Sequence, residues 1–468
     1  MRYLALAVDF DGTLAHDGIV GAEVIAALER LAATGRKLIL VTGRELDQLL
    51  GIFPQIALFD RVVAENGALL YRPGSRERQL LTTGPTELFV AELRRRGVSP
   101  LSVGNSIVAT VEPNEIIVLE TIRDLGLELQ VTFNKGAVMI LPAGVTKASG
   151  LLTALVELNL SRHNVVAIGD GENDHALLET AEYSAAVANA LPLLREKADR
   201  VTSRTHGEGV IELIDDLIST DLAAAPTRRP RTIVLGSDER GAEISVPAAG
   251  ALLLIAGDNV VEKWALAAGI LERLCVQGYQ FCVIDSGGVY KELRGAVKFG
   301  DARRSPGASE VLTALEKPDV STVVDLSALS ADERPAFCTN LLARLRELRA
   351  RSGRPHWILV DEIRHLVPAN SPGAAQDLDA MIYVTAKPDS VAPSTLRDIT
   401  MAAMFGAAPA NAIQALCQAC EVPVPLSTRG GLARGQALWW TRDGHSLRVL
   451  NVASSQTAKV SAERAAHA

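Results

Sequence analysis

Two aspartates separated by one residue, Asp9 and Asp11, end an apolar run at residues 4–8. A carboxylate can attack phosphorus and form an acyl phosphate, which divides a difficult hydrolysis into two easier steps. We assign this nucleophilic role to Asp9. In an extended segment the side chains of residues i and i+2 point to the same side, so Asp11 is expected beside Asp9. We therefore assign to Asp11 the proton transfers to the leaving oxygen and from water.

Clustered carboxylates repel each other unless a cation lies among them. Mg²⁺ prefers oxygen ligands, and it would also neutralise charge on a phosphate. The sequence therefore predicts a bound magnesium ion. An aspartate followed by glycine, as in Asp11-Gly12, also occurs in ordinary turns after strands, so the remaining motifs must decide between the two interpretations.

Two further segments offer groups that bind phosphate. A buried strand is predicted over residues 37–41, and Thr42 and Gly43 follow it with a hydroxyl and backbone N–H groups that can hold phosphate oxygens. Lys147 opens a helical run at residues 148–158 and offers a positive charge to the phosphate and to the acyl phosphate. A lysine at the start of a helix is more often simply solvated, and this alternative stays open.

An acidic, glycine-rich turn at residues 169–174 follows another predicted strand at residues 164–168. Carboxylates in such a turn are well suited to a metal ion. Asp170 and Asp174 are the candidate metal ligands, and Asn173 is assigned to the phosphate.

Four segments in this order resemble the motifs of the haloacid dehalogenase (HAD) superfamily of phosphohydrolases: residues 9–13, 42–44, 147 and 169–174. The resemblance covers about residues 1–218, and it implies an α/β, Rossmann-like core. It implies that Asp9 is phosphorylated and that Asp11 is the general acid and base. It also implies that Thr42 and Lys147 bind the phosphate.

The same resemblance implies how Mg²⁺ is held. The ligands would be Asp9, the main-chain carbonyl of Asp11, and Asp170, with Asp174 close by. The implied reaction is magnesium-dependent hydrolysis of a small phosphorylated metabolite, a sugar phosphate or phosphoglycolate, through an aspartyl phosphate. Transfer of phosphate between two positions of one sugar, as in phosphomannomutase, is the alternative.

Two more segments, residues 63–68 and 187–190, resemble the branch that includes sucrose-phosphate phosphatase and the Cof-type sugar phosphatases. Asn189, in the second segment, is expected to line the mouth of the same site.

The segment between the phosphate-binding motifs, residues 80–142, alternates helix and strand patterns and resembles a small α/β cap of the C2 type. The core would then consist of residues 1–79 and 143–218. A lid excludes water and supplies the contacts that distinguish substrates. Substrate choice is therefore expected to depend on side chains of the cap.

The chain is too long for this domain alone. Its 468 residues, 48% hydrophobic and 22% charged, have room for two or three hydrophobic cores. Proline, alanine and arginine concentrate at residues 219–232, which are predicted to be a linker. A second α/β domain is predicted over residues 233–452, followed by a disordered tail at residues 453–468.

The second domain has the outline of a nucleotide site. An apolar run at residues 251–256 leads to Gly257 and Lys263, which have the spacing of a P-loop. However, Glu262 replaces the second glycine, and Trp264 replaces the hydroxyl residue that would bind Mg²⁺. The sequence therefore predicts a degenerate site, and it argues against ATP binding and hydrolysis there.

The helix after this loop is predicted to begin at Ala265. A strand at residues 357–360 ends in Asp361-Glu362 and resembles a Walker B strand. The order of these segments resembles the HerA-like and type IV secretion ATPases over about residues 233–452. By that resemblance Asp361 would act on a metal ion and Glu362 on water. Without a hydroxyl at position 264, both residues are expected to be vestigial. An unrelated α/β domain with an incidental Asp-Glu pair is the alternative.

Charge and cysteine content limit the partners. A formal net charge of −8 gives no support for binding along a nucleic-acid backbone, and no apolar segment has membrane-spanning length, so a cytoplasmic protein is expected. Five scattered cysteines do not make a disulfide framework, and Cys417 and Cys420 are expected to be core thiols. A scaffold that forms a homo-oligomer through the second domain is the alternative function.

Overall fold

A computed structural model describes five stretches of the chain, residues 1–223, 231–367, 378–425, 431–444 and 447–455. The predicted linker therefore lies outside the described residues between positions 224 and 230, and the predicted tail does so from position 456. In the stretches that are described, no helix is both long enough and apolar enough to cross a lipid bilayer.

Backbone contacts divide the chain into two compact units, of which the first is Met1–Arg229. Its strands are β1 (Ala5–Asp9), β2 (Lys37–Val41), β3 (Arg61–Ala64), β4 (Leu69–Arg72), β5 (Glu77–Leu80), β6 (Ser102–Val103), β7 (Val108–Val111), β8 (Leu129–Asn134), β9 (Ala137–Pro142), β10 (Val165–Gly169), β11 (Tyr183–Ala186) and β12 (Arg200–Val201). Its α-helices are α1 (Ala22–Ala33), α2 (Leu46–Ile52), α3 (Glu87–Arg95), α4 (Glu115–Asp124), α5 (Lys147–Glu157), α6 (His175–Thr180), α7 (Pro192–Lys197) and α8 (His206–Thr220).

The main sheet of this unit has the order β12-β11-β10-β1-β2-β3-β4-β5. The strands from β12 to β3 are parallel, and β4 and β5 extend the sheet in antiparallel fashion. Strands β1 and β10 are buried at every residue, which explains their uninterrupted apolar sequence. The carboxyl ends of β1, β2 and β10 meet at one edge, so this edge collects the side chains that the sequence singled out.

Residues 87–142, here called the insertion, form a smaller α/β layer within the same unit. Its antiparallel sheet has the order β6-β7-β9-β8, and helices α3 and α4 pack on it. Phe89, Val118 and Ile140 lie in its own hydrophobic core. Helices and strands alternate as the sequence pattern predicts, with the first helix ending at Arg95.

The second unit is Pro230–Ala468. Its strands are β13 (Thr232–Ser237), β14 (Glu243–Pro247), β15 (Leu252–Gly257), β16 (Phe281–Asp285), β17 (Ala296–Phe299), β18 (Ser321–Asp325), β19 (Trp357–Val360), β20 (Met381–Thr385), β21 (Met401–Phe405), β22 (Gln436–Thr441) and β23 (Arg448–Val452). Its α-helices are α9 (Val260–Gln277), α10 (Ala308–Leu315), α11 (Glu333–Ser352), α12 (Ile363–Leu366), α13 (Pro393–Leu396) and α14 (Pro409–Cys420).

A single mixed sheet organises the described part of this unit, with the order β14-β13-β23-β22-β21-β15-β20-β19-β16-β18-β17. The seven strands from β21 to β17 are parallel, and the other four are antiparallel. Cys417 and Cys420 are buried free thiols on α14, so this prediction is confirmed. The α/β fold class predicted for the chain is confirmed as well.

One predicted boundary in this unit is wrong. Helix α9 begins at Val260, not at Ala265, so only Asp258 and Asn259 separate it from β15. The Asn259 side chain accepts a hydrogen bond from the amide of Glu262 at 3.2 Å and so caps the helix. Glu262, unlike the glycine of a P-loop, favours a helical conformation, and the helix therefore extends through the segment expected to be a loop.

Candidate active site

Asp9 and Lys147 form the centre of the site. Asp9 is the last residue of β1, and Lys147 is the first residue of α5. The Lys147 Nζ atom lies 2.6 Å from Asp9 Oδ1 and 2.6 Å from Asp174 Oδ1. The exposed fractions of the three side chains are 1% for Lys147, 5% for Asp9 and 0% for Asp174. The alternative of a solvated lysine at a helix start is therefore wrong.

Local structure fixes the start of α5. Thr146 caps the helix, because its hydroxyl accepts the Ser149 amide while the Ser149 hydroxyl accepts the Thr146 amide. Gly67 has a φ of +106° and packs against the Thr146 carbonyl, where an added Cβ atom would overlap the oxygen. A glycine at position 67 is thus what allows Lys147 to approach the sheet edge.

Three carboxylates converge at the same place. Asp9, Asp170 and Asp174 each offer one oxygen, and these oxygens lie within 4.8 Å of one another. Burial raises the pKa of the Asp9 carboxyl well above its ordinary value, and the charge of Asp174 adds to the rise although Lys147 opposes it. Burial also raises the pKa of Asp170. Three buried carboxylates carry more negative charge than Lys147 can neutralise, and their hard oxygen donors fit Mg²⁺.

The turn after β10 holds these groups through main-chain contacts. The Asp174 Oδ2 atom accepts the amides of Asp170 at 3.0 Å and Gly171 at 2.9 Å. Asn189 donates to Asp170 Oδ2 at 3.3 Å and to the Gly12 carbonyl at 2.8 Å, so Asn189 contacts the site. Asp170 is thereby held at its main-chain amide by Asp174 and at its carboxylate by Asn189.

Asp11, the assigned acid and base, lies outside this triad of carboxylates. The Arg44 guanidinium donates two hydrogen bonds to its carboxylate, at 2.7 and 2.6 Å. The Asp11 side chain is 37% exposed. Sequence reasoning did not assign Arg44 a role, although Arg44 directly follows the predicted phosphate ligands Thr42 and Gly43.

The phosphate-binding candidates after β2 lie beside Asn173. The amide of Thr42 donates to the Val63 carbonyl, and the Thr42 hydroxyl accepts the Arg44 amide at 3.1 Å. The Gly43 amide has no acceptor within the described stretches. A Cβ atom on Gly43 would lie 3.4 Å from the Asn173 Nδ2 atom. The structure therefore places Gly43 and Asn173 next to each other.

The insertion contributes a cation that sequence reasoning missed. Lys135, in the turn between β8 and β9, forms an ion pair with Asp170 Oδ2. Its amide donates to Glu172 Oε2 at 3.0 Å. The Asn-Lys-Gly sequence of this turn predicts a hairpin. The turn lies far from the other motifs along the chain, so the sequence does not predict its contact with Asp170.

Glu65 fastens the insertion to the main sheet. This residue is fully buried and has a φ of +51°. Its carboxylate accepts the amide of Asn105 at 3.1 Å, the Asn105 Nδ2 atom at 2.8 Å and the amide of Ser106 at 2.6 Å. The neighbouring Asn66 accepts a hydrogen bond from Asn173 at 2.9 Å. One turn thus contacts both the insertion and the phosphate-binding residues.

In the second unit, the predicted nucleotide-site residues are engaged with the protein itself. The buried Lys263 Nζ lies 3.2 Å from Glu362 Oε1, and Glu362 Oε2 accepts the Ala386 amide at 3.2 Å. Gly257 has a φ of +130°, and a Cβ atom there would overlap the Phe405 carbonyl. Close packing against β21 therefore explains Gly257 without any phosphate.

Asp361 follows β19 and is buried beside Ser286, whose hydroxyl donates to it at 3.3 Å. Burial, together with the charges of Asp285 and Glu362, raises the pKa of Asp361 to about 7. This carboxyl group is therefore only partly ionised at neutral pH.

Comparison with known proteins agrees with the geometry of the first unit. A family model described as haloacid dehalogenase-like hydrolase matches residues 6–87 and 106–214. A phosphoglycolate phosphatase from Methanothermobacter thermautotrophicus is 35% identical over 218 residues, which are 45% of this chain and 96% of the relative. Phosphoglycolate phosphatase 2 from Saccharolobus solfataricus is 31% identical over 227 residues, which are 46% of this chain and 93% of the relative.

A solved haloacid dehalogenase-like hydrolase from Bacteroides thetaiotaomicron covers 46% of this chain and 100% of its own, with 21% identity and a TM-score of 0.42. The family assignment depends on the sequence relatives, because the chain covers nearly their whole length. The chain therefore belongs, through its first unit, to the haloacid dehalogenase-like hydrolases, and it is an enzyme of the phosphatase type.

Proposed function

We propose that the first unit hydrolyses 2-phosphoglycolate through an aspartyl phosphate on Asp9. The observation that carries the reaction type is the buried contact of Asp9 with Lys147 beside the carboxylates of Asp170 and Asp174. The relatives named phosphoglycolate phosphatase support the choice of substrate. Phosphosugar transfer and a purely scaffolding role have no comparable observation in their favour.

The chain's own residues account for the first step. Burial disfavours an ionised Asp9, and Lys147 counteracts this effect with a positive charge at 2.6 Å. The ionised Asp9 oxygen attacks phosphorus as the bond to the leaving oxygen breaks. The leaving oxygen takes a proton, for which Asp11 is the candidate donor, and glycolate departs. The proposed phosphate ligands are Thr42, the Gly43 amide, Lys147 and Asn173.

The second step returns the enzyme to its starting form. A water molecule loses a proton to Asp11 and attacks phosphorus, and the bond between phosphorus and the Asp9 oxygen breaks. Both carboxylate oxygens of Asp11 accept hydrogen bonds from Arg44. Asp11 must therefore leave Arg44 before one of these oxygens can reach the leaving oxygen in the first step.

The carboxylates of Asp9, Asp170 and Asp174 would hold Mg²⁺, to which the Asp11 carbonyl is a further proposed ligand. A bound Mg²⁺ supplies positive charge that offsets the repulsion between the phosphate and these carboxylates.

We also propose the domain assignment of the sequence analysis. The core would consist of residues 1–79 and 143–218, with residues 80–142 as a C2-type cap and residues 233–452 as a P-loop-like domain. Strands β15 and β19, which precede the Lys263 and Asp361 motifs, lie in the same parallel sheet, and this supports a P-loop-like origin. The internal ion pair of Lys263 and the early start of α9 support the proposal that this domain does not turn over ATP.

Phosphate release from the full-length chain tests this function. The assay compares 2-phosphoglycolate, sugar phosphates and ATP in the presence of Mg²⁺. We expect turnover of 2-phosphoglycolate that Asp9→Asn abolishes, while Asp215→Asn, at an exposed aspartate of the same unit, keeps the full rate. If Asp9→Asn retains turnover, Asp9 is not the nucleophile; if only a sugar phosphate is hydrolysed, the proposed substrate is wrong.

A further inference from the structure

Lys135 brings a positive charge from the insertion to the catalytic edge of the main sheet. Its ammonium pairs with Asp170, whose side chain is 1% exposed, while the Lys135 side chain itself is 43% exposed. The head of Lys135 thus lies at a buried carboxylate, and its stem runs through solvent. A long, half-exposed side chain can redirect its charge without disturbing the packed core.

The position of Lys135 is defined by its backbone. Its φ of +49° places it in the left-handed region at the tip of the β8–β9 hairpin. The Lys135 amide is held by Glu172, which belongs to the turn after β10. A Cβ atom on Gly12 would lie 2.5 Å from Lys135 Nζ. The ammonium therefore lies against the loop after β1, which carries Asp11 and Gly12.

Lys147, Arg44 and two arginines of the insertion also form ion pairs, as Lys135 does, but they differ from it in exposure or position. Lys147 is buried and contacts two carboxylates. Arg44 binds Asp11 with two hydrogen bonds. Within the insertion, Arg96 and Arg123 pair with acidic residues of helices α3 and α4. Lys135 thus combines a position at the site with a side chain exposed enough to turn toward a ligand.

We propose that Lys135 binds the carboxylate of 2-phosphoglycolate and so selects this substrate over neutral phosphomonoesters. This inference rests on the proposed function. The substrate carries a second anion one carbon away from the ester oxygen, on the side of the leaving group. A cation bound at Asp170 would compete with Lys135 for the Asp170 carboxylate. The Lys135 ammonium would then be free to bind the substrate. An ammonium binds a carboxylate more strongly than it binds a hydroxyl group. Lys135 would therefore favour 2-phosphoglycolate over a substrate with a hydroxyl group in place of the carboxylate.

The experiment compares 2-phosphoglycolate with 2-hydroxyethyl phosphate, in which a hydroxymethyl group replaces the carboxylate. The full-length wild type, Lys135→Gln and Lys135→Arg are assayed with both substrates, and Arg123→Gln is a matched control on an exposed cation of the insertion. Binding of 2-phosphoglycolate is measured separately by calorimetry in the inactive Asp9→Asn background, with and without Lys135→Gln.

For Lys135→Gln we expect KM for 2-phosphoglycolate to rise about 10- to 100-fold with little change in kcat, as for a lost hydrogen bond between charged groups. The constants for 2-hydroxyethyl phosphate should stay within about twofold, and Lys135→Arg should restore most of the binding. Calorimetry should show the same loss of affinity.

Equal losses on both substrates would overturn the proposal and make Lys135 a residue that positions the insertion. Unchanged constants and unchanged affinity would overturn it as well. If the wild type does not turn over 2-phosphoglycolate at all, then the proposed function fails first, and this outcome is distinct from either of the others.

Discussion

The Lys147 ammonium and the Asp9 carboxylate lie 2.6 Å apart with almost no solvent contact. Burial by itself lowers the pKa of a lysine, but the carboxylates of Asp174 and Asp9 outweigh burial and raise the pKa of Lys147. The lysine therefore stays charged throughout the pH range in which proteins are folded. Its charge offsets that of the buried carboxylates, and in the proposed reaction it also favours the ionised form of Asp9.

Replacing Lys147 by methionine should affect both properties. Lys147→Met leaves buried carboxylates uncompensated, so we expect the free energy of unfolding to fall by about 3 kcal/mol. Phosphatase turnover should fall at least about 100-fold. Calorimetric unfolding and phosphate release measure the two effects. Adding Asp174→Asn to this variant removes one stranded carboxylate and should restore part of the stability but not the turnover; a double variant less stable than Lys147→Met would contradict the assigned charge balance.

Gly67→Ala should destabilise the first unit by about 2 kcal/mol or more, because the new Cβ atom overlaps the Thr146 carbonyl in a left-handed backbone conformation. Gly51→Ala is the matched control, since an added Cβ atom at that helical position meets nothing within 4 Å. The control should be neutral or slightly stabilising. Equal melting temperatures for the two variants would show that the Gly67 contact does not constrain α5.

Lys263→Ala should leave the phosphatase rate within about twofold of the wild type, because Lys263 is engaged with Glu362 of its own unit. The second unit should lose stability, because the buried Lys263 side chain leaves a cavity and the partly buried Glu362 carboxylate keeps only Arg364 as a cationic partner. All four tryptophans belong to this unit, so tryptophan fluorescence follows its unfolding selectively. A large loss of phosphatase rate in a folded variant would instead reveal coupling between the two units.

Asp361 should make the stability of the second unit dependent on pH. Its folded-state pKa of about 7 exceeds the unfolded value of about 3.9, so the folded form binds the proton more tightly. Stability should therefore fall as pH rises from about 4 to 7 and then level off, by on the order of 2–4 kcal/mol in all. Asp361→Asn should remove most of this slope in denaturant titrations followed by tryptophan fluorescence, whereas Asp389→Asn, at an exposed site, should keep it. If the stability of the wild-type second unit instead rises with pH over this range, the effect assigned to Asp361 is wrong.

The sequence was most informative where strands are fully buried. Continuous apolar runs marked β1, β2 and β10, and parallel strands necessarily bring their carboxyl ends to one edge. The convergence of Asp9, Asp170 and Asp174 could therefore be anticipated without knowledge of the packing.

Contacts between distant segments could not be anticipated in the same way. The pairing of Arg44 with Asp11 depends on rotamers, and the approach of Lys135 depends on how the insertion folds back over the turn after β10. The early start of α9 differs from the prediction because P-loop spacing implies a loop before Ala265, whereas Glu262 favours a helix. Because position 262 is not glycine, the helical preference of Glu262 favours the early start of α9.

The anchoring of the insertion by Glu65 has a consequence for protein engineering. Two of the three hydrogen bonds that the Glu65 carboxylate accepts come from main-chain amides, those of Asn105 and Ser106. Every residue except proline supplies such an amide. An insertion of unrelated sequence, exchanged as a unit, could therefore donate the same two main-chain hydrogen bonds to Glu65. Its side chains would be free to carry a new substrate preference.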